Sequence, residues 1–156
     1  MSDRSEPPLK RHSDDFATGA FPPHGRVELW AEGSVVRIEA RGPFNREAVL
    51  AVGRAMRDLF AERPVGRVFA DILVMRDSLV ASPDALVAFE QFLAAMSAAG
   101  FAPQVVAYVV APEVEGRSLM LPLFSAIYAR HGREFAAFEG MAEAEAWVRE
   151  RLTAQA

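Results

Sequence analysis

The hydrophobic positions of this chain change repeatedly between the periodicity of strands and that of helices. Residues 67–72 and 104–110 are near-continuous apolar runs, which are typical of strands buried on both faces. The segment between these runs has Ser82 as a candidate N-cap, Pro83 in the first helical position and Gly100 just past its end. Two buried strands joined by a single helix predict parallel pairing in an α/β architecture.

The segments on either side complete this pattern. Apolar and polar side chains alternate on both sides of Glu32-Gly33, which predicts a β-hairpin. Further elements are a helix from Asn45 to Glu62, a helix that starts or kinks near Pro122, a strand over 134–139 and a helix over 141–152. We therefore predict one α/β domain with a mixed, mostly parallel five-stranded sheet flanked by four helices, in the order β-β-α-β-α-β-α-β-α.

The predicted domain extends over residues 25–156. Residues 1–24 are rich in Pro, Ser, Asp and Gly and contain few apolar side chains. Such a segment buries too little apolar surface to offset the entropy lost on ordering, so we expect a flexible N-terminal tail.

Composition excludes several functional classes. The net charge of -4 argues against nucleic acid as a partner, and the absence of cysteine excludes thiolate catalysis and cysteine-bound zinc. With three histidines, two of them in the tail, we predict neither a metal site nor a cofactor. The chain begins without the apolar segment of a signal peptide and has no apolar run of ~18 residues, so we expect a cytoplasmic protein.

Two short stretches and the order of elements resemble a known group. Residues 133–148 combine a short strand that carries Phe with a helix that holds an Ala and a Trp, and an earlier strand ends on Asp71-Ile72. Over residues 26–152 the chain is similar to the STAS-like domains, named for sulfate transporters and anti-sigma-factor antagonists and also called SpoIIAA-like. The resemblance implies the fold of that group and a non-enzymatic, protein-binding or regulatory role.

The resemblance also implies a candidate phosphosite. In regulatory STAS domains an Asp-Ser pair follows the central strand and its serine is phosphorylated. Asp77-Ser78 lies in the equivalent loop here, although it follows Asp71 more closely than in the family and precedes Leu79-Val80 instead of small residues. In the alternative interpretation, both residues are loop residues that bond to nearby backbone.

The parallel sheet itself predicts a candidate site. In open α/β sheets, ligands bind outside the carboxyl ends of the parallel strands. On this chain we expect those ends to gather six polar residues on one rim: Asp71, Arg76, Asp77, Glu113, Glu115 and Arg117. An arginine among carboxylates can bind a polar ligand, supply acid and base groups or hold a hard cation, but residues 112–117 are equally typical of a solvated loop of alternating charge.

No catalytic motif is present: the chain has neither a Gly-x-Ser-x-Gly sequence nor a glycine-rich phosphate loop.

Residues 119–124 and the helix after Ser82 carry more apolar side chains than one buried face needs, which favours a protein partner or a homodimer. Membrane association is not expected, because basic residues are missing beside the apolar run. The predicted function is therefore protein binding, and the alternative is a small-ligand or lipid-binding module that takes an apolar or anionic ligand at the loops of the rim.

Overall fold

A computed structural model describes residues 9–19, 21–63 and 67–154. The described residues form six strands and four α-helices, and a short 3-10 helix, Ser13–Phe16, follows the first strand. The strands are β1 Arg11–His12, β2 Arg26–Glu32, β3 Val35–Arg41, β4 Ala70–Arg76, β5 Val105–Val110 and β6 Glu134–Phe138. The helices are α1 Arg46–Phe60, α2 Pro83–Ala98, α3 Arg117–Arg130 and α4 Met141–Ala154. None of these helices has the length and apolar character needed to cross a bilayer.

The six strands form one mixed sheet in the order β1-β2-β3-β4-β5-β6. The pairs β1-β2 and β2-β3 are antiparallel, whereas β3 to β6 are all parallel. The predicted α/β fold with a mostly parallel sheet is confirmed. The sheet has six strands instead of five because β1 adds a short edge strand.

The helices cover the two faces of the sheet unequally. From β3 to β6, each connection crosses over to the neighbouring strand on the same side in the sheet. Such crossovers are right-handed, so the helices that they contain lie on the same face of the sheet. Residues of α1, α2 and α3 accordingly share the larger hydrophobic cluster, while α4 packs on the smaller cluster on the opposite face. Leu73 belongs to the first face and its neighbour Ile72 to the second, as the alternation along a buried strand requires.

The helix signals in the sequence are confirmed. Asn45 Oδ1 accepts a hydrogen bond from the amide of Ala48 at 3.0 Å, and Ser82 Oγ accepts one from the amide of Ala85 at 3.4 Å. Gly100 has the left-handed φ of 83° that a residue just past a helix often adopts.

Strand β4 differs from the prediction. The sequence predicts residues 67–72 and an end at Asp71-Ile72, whereas the strand runs from Ala70 to Arg76, where it pairs with Arg41 of β3. The apolar residues after Ile72 continue the strand because both faces of the sheet are covered there. Asp71 is therefore the second residue of β4 and does not lie at its carboxyl end.

The described part of the N-terminal segment contains secondary structure that the sequence does not predict. Residues 1–8 and 20 of the expected tail lie outside the described residues, but strand β1 and the 3-10 helix pack on the domain. Ser13 is 1% exposed, and its Oγ accepts a hydrogen bond from the amide of Val27 at 2.9 Å. The buried Arg11 guanidinium lies 3.3 Å from the Asp58 carboxylate of α1. Composition misses this packing because it depends on two polar side chains and on the single apolar side chain of Phe16, which packs against the core.

Helix α3 begins at Arg117, five residues before Pro122, and not at the proline. Pro122 lacks the amide that would bond to the carbonyl of Ser118. Ser118 is exposed, so water can satisfy that carbonyl, and the helix continues through the proline.

Candidate functional site

The loops after β4 and β5 meet at the carboxyl rim of the sheet. The amide of Glu115 donates to the carbonyl of Asp77 at 3.0 Å, and the amide of Leu79 donates to the carbonyl of Glu115 at 2.8 Å. The Ser78 hydroxyl donates to Glu115 Oε1 at 2.9 Å. The parallel order of the strands thus brings Asp77, Ser78 and Glu115 together, although 37 residues separate Ser78 from Glu115.

Ser78 is part of the connection between these loops. It is 4% exposed, and its hydroxyl also accepts a hydrogen bond from the amide of Val80 at 3.2 Å. Phosphorylation would require this contact to open, and the phosphate would then face the carboxylate of Glu115. The phosphosite at Ser78 stays a prediction.

The remaining rim residues pair locally or face solvent. Arg76 bonds to Glu39 of β3 at 2.6 Å, and the Nε of Arg117 donates to the carbonyl of Val110 at 3.2 Å. Glu113 is exposed. These residues do lie at the carboxyl ends of the strands, but the two arginines contact residues outside the predicted set.

Asp71 lies elsewhere. It pairs with Val106 near the amino ends of β4 and β5, whereas Ser78 follows the carboxyl end of β4. Since Asp71 comes two residues before Leu73, it faces the helices α1 to α3. The predicted grouping of Asp71 with the other five rim residues is wrong, because the strand extends beyond this residue.

Between α1, α2 and the sheet, the core leaves a cavity of about 100 Å³, which we call the groove. The two helices approach each other at Gly53, where a Cβ atom would lie 3.4 Å from Cδ2 of Phe92. The groove lining is mostly apolar and comes from both helices and the sheet, including Ile38, Val52, Met56, Leu73, Leu86 and Phe89.

Four polar residues also line the groove, and we call them the polar pole: Asp71, Tyr108, Tyr128 and Arg133. They come from β4, β5, α3 and the residue before β6. The hydroxyl groups of Tyr108 and Tyr128 lie 3.0 Å apart, within hydrogen-bond distance. Only Asp71 was among the residues predicted from the sequence. For the other three, the sequence offers one indication, which is a polar side chain inside an apolar run. Tyr108 in residues 104–110 is an example.

Arg133 is held beside the last turn of α2. It is 7% exposed, and its Nη2 donates to the carbonyl of Leu93 at 2.9 Å and lies 3.3 Å from Ser97 Oγ. A cation near the carboxyl end of a helix is favoured by the helix dipole.

Two buried polar atoms of the pole have no hydrogen-bond partner among the described residues, namely Asp71 Oδ1 and Arg133 Nε. Burial raises the pKa of Asp71 to about 7, and the positive charges of Arg133 and Arg63 oppose this shift. Burial likewise lowers the pKa of Arg133, and the carboxyl of Asp71 opposes that shift. An unpaired buried polar atom is costly and rare in native proteins. These two atoms are therefore available to form hydrogen bonds with a ligand in the groove.

No family model and no curated protein matches this chain. Among solved structures, the chain is similar to an uncharacterised protein of the DUF3478 family from Shewanella loihica PV-4, which is described as having a SpoIIAA-like fold. The TM-score is 0.57 at 12% sequence identity, and the match covers 84% of this chain and 98% of the other. At this identity the similarity concerns the fold alone. The chain therefore has the SpoIIAA-like α/β fold that its order of elements predicts.

Proposed function

We propose that this domain binds a small, mainly apolar molecule in the groove. One observation carries the proposal: an otherwise close-packed core contains a cavity of about 100 Å³ with two unpartnered polar atoms among its lining residues. Protein cores leave few voids larger than a water molecule. An apolar cavity with a few convergent polar groups is typical of ligand sites.

The volume of the cavity limits the size of the ligand that it can hold. An engineered apolar cavity of about 150 Å³ holds one benzene molecule. The groove therefore takes a group of the size of a short alkyl chain or a small ring, and a longer ligand would continue outward between α1 and α2. We therefore propose the groove as the ligand site, whereas the sequence predicts a small ligand at the loops of the rim.

The proposed role is binding without catalysis. The described residues that line the groove include one carboxyl group, one guanidinium group and two phenols, but no serine, histidine or lysine. This set can orient a ligand by hydrogen bonds, but it lacks the usual partners for activating a nucleophile.

A matched pair of substitutions tests the location. Val52 lines the groove from α1, whereas Val87 on α2 is 57% exposed and is not among the lining residues. The probe is the neutral fluorophore N-phenyl-1-naphthylamine, whose phenyl ring can enter the groove while its naphthyl part continues outward between α1 and α2. We expect Val52→Phe to fill the groove and to weaken binding of this probe by about tenfold, and Val87→Phe to leave binding unchanged. Fluorescence titration of both variants and wild type measures this. Equal affinity of wild type and Val52→Phe would contradict binding in the groove.

A specific observation favours self-association as a second function. Leu119 and Leu123 lie one turn apart on α3 and are 69% and 44% exposed. Exposed apolar side chains on one helical face commonly mark a contact surface. We propose that a second copy of the chain covers this face, and the mass of the protein in solution is the test.

A further inference from the structure

The polar pole contains hydrogen-bond donors that are available to a ligand. Tyr108 and Tyr128 share one hydrogen bond, so one of their two hydroxyl protons is left for another acceptor. The Nε–H of Arg133 is a second donor without a partner among the described residues. Asp71 Oδ1 also has no partner among the described residues, and it accepts hydrogen bonds when its carboxyl is ionised. A ligand group that only accepts hydrogen bonds fits this arrangement.

The charge of the pole favours the same kind of group. Arg133 is 7% exposed, and the groups that it bonds to, the Leu93 carbonyl and the Ser97 hydroxyl, are both neutral. The ion pairs within the described part of the chain do not include Arg133. A buried cation is stabilised strongly when an anion with good hydrogen-bond geometry reaches it.

We propose that the ligand of the groove is a monocarboxylic acid, whose carboxylate binds at Arg133 and whose apolar part fills the groove. This inference rests on the proposed function. A carboxylate only accepts hydrogen bonds and carries the missing negative charge. An alcohol of equal length leaves the cation without a counter-ion, and an amine adds a second positive charge beside it.

Asp71 makes binding dependent on pH. The titratable groups that influence it are Arg63, Arg133, Tyr108 and Tyr128, and burial raises its pKa to about 7. Below that pH the neutral carboxyl of Asp71 can donate a hydrogen bond to the bound carboxylate. Above it, the negative charge of Asp71 competes with the ligand for Arg133, so binding takes up one proton and affinity falls by up to about tenfold per pH unit.

The first test compares ligands that differ only in the head group. Octanoate, 1-octanol and octylamine are competed against N-phenyl-1-naphthylamine on the full chain at pH 6 and pH 8. We expect octanoate to bind about tenfold more tightly than the other two at pH 6 and to weaken about tenfold at pH 8. Octanol that binds as tightly as octanoate would overturn the carboxylate proposal and leave binding in the groove intact. Failure of the probe and of all three ligands would remove the proposed function as well.

The second test uses variants of the pole. Asp71→Asn cannot ionise, so octanoate should bind it equally at pH 6 and pH 8. Arg133→Gln should reduce octanoate binding to the level of octanol, while the exposed Arg130→Gln is the matched control and should change nothing. Circular dichroism establishes whether each variant is folded. If Arg133→Gln does not fold, the pH dependence of octanoate binding to Asp71→Asn tests the inference on its own. A pH dependence that persists unchanged in Asp71→Asn, or an octanoate preference that persists in folded Arg133→Gln, would refute the inference.

Discussion

Asp71 shows how the surroundings of one residue change its chemistry. From the sequence it is predicted as an acidic residue at the end of a strand, yet in the fold its Oδ1 is buried in the groove while other parts of the residue stay partly exposed. The pKa of this carboxyl is raised to about 7 from its ordinary 3.8 because burial disfavours the charged form.

This shift predicts a pH-dependent stability. Between pH 3.8 and 7 the folded chain keeps the proton of Asp71 and the unfolded chain releases it, so the free energy of unfolding falls as pH rises and levels off above pH 7. Asp71→Asn removes this dependence, so its stability relative to wild type should be greater at pH 8 than at pH 4 by about 4 kcal/mol.

Urea denaturation at both pH values measures the difference. The exposed Asp77→Asn is the control, because asparagine tolerates the left-handed φ of 65° at this position. Its difference from wild type should be the same at pH 4 and pH 8. The burial of Asp71 is contradicted if Asp71→Asn behaves in the same way as this control.

At the scale of elements, the N-terminal segment depends on a few polar contacts. Ser13→Ala removes the acceptor of the buried Val27 amide, so we expect the free energy of unfolding to fall by about 1–3 kcal/mol. Ser125→Ala changes an exposed serine on α3 and should stay within about 0.5 kcal/mol of wild type. Urea denaturation distinguishes the two, and a Ser13→Ala variant as stable as Ser125→Ala would show that the segment is not packed on the sheet.

Local elements were mostly predictable. The caps at Asn45 and Ser82 and the left-handed Gly100 act within one turn of a helix, so their effect can be recognised in a short stretch of sequence. The limits of β4 were not predictable in this way. The carboxyl of Asp71 inside this strand is influenced by groups distant in sequence, such as Arg133, whose positive charge opposes the effect of burial on its pKa.

At the scale of the whole molecule, the face of α3 predicts association. We expect the wild-type mass, measured by light scattering after size exclusion, to approach that of a dimer as concentration rises. Leu119→Glu combined with Leu123→Glu places charge on this face and should keep the protein monomeric. Ser118→Glu combined with Ser125→Glu, exposed positions on the same helix, is the control and should dimerise as wild type does. A wild type that stays monomeric at every concentration would contradict the contact.

The candidate site was predicted only in part. Because β4 and β5 are parallel neighbours, their carboxyl ends lie side by side. The contact between Ser78 and Glu115 follows from this arrangement. The groove has no such signal, since its volume depends on how far α1 and α2 stand from the sheet. It also depends on the distance between the two helices, to which the close approach of Gly53 and Phe92 contributes.

By itself, the sequence determined the order of the elements, their caps and the α/β class, because periodicity and capping are local and parallel pairing follows from the crossovers. Tertiary structure alone decided which polar residues share a buried site. Asp71, Tyr108 and Tyr128 come from three separate elements and Arg133 from the connection before β6, and they become neighbours only when the sheet is assembled under α1 to α3. Burial then gives them the altered pKa values and unpartnered atoms that no local stretch of sequence contains.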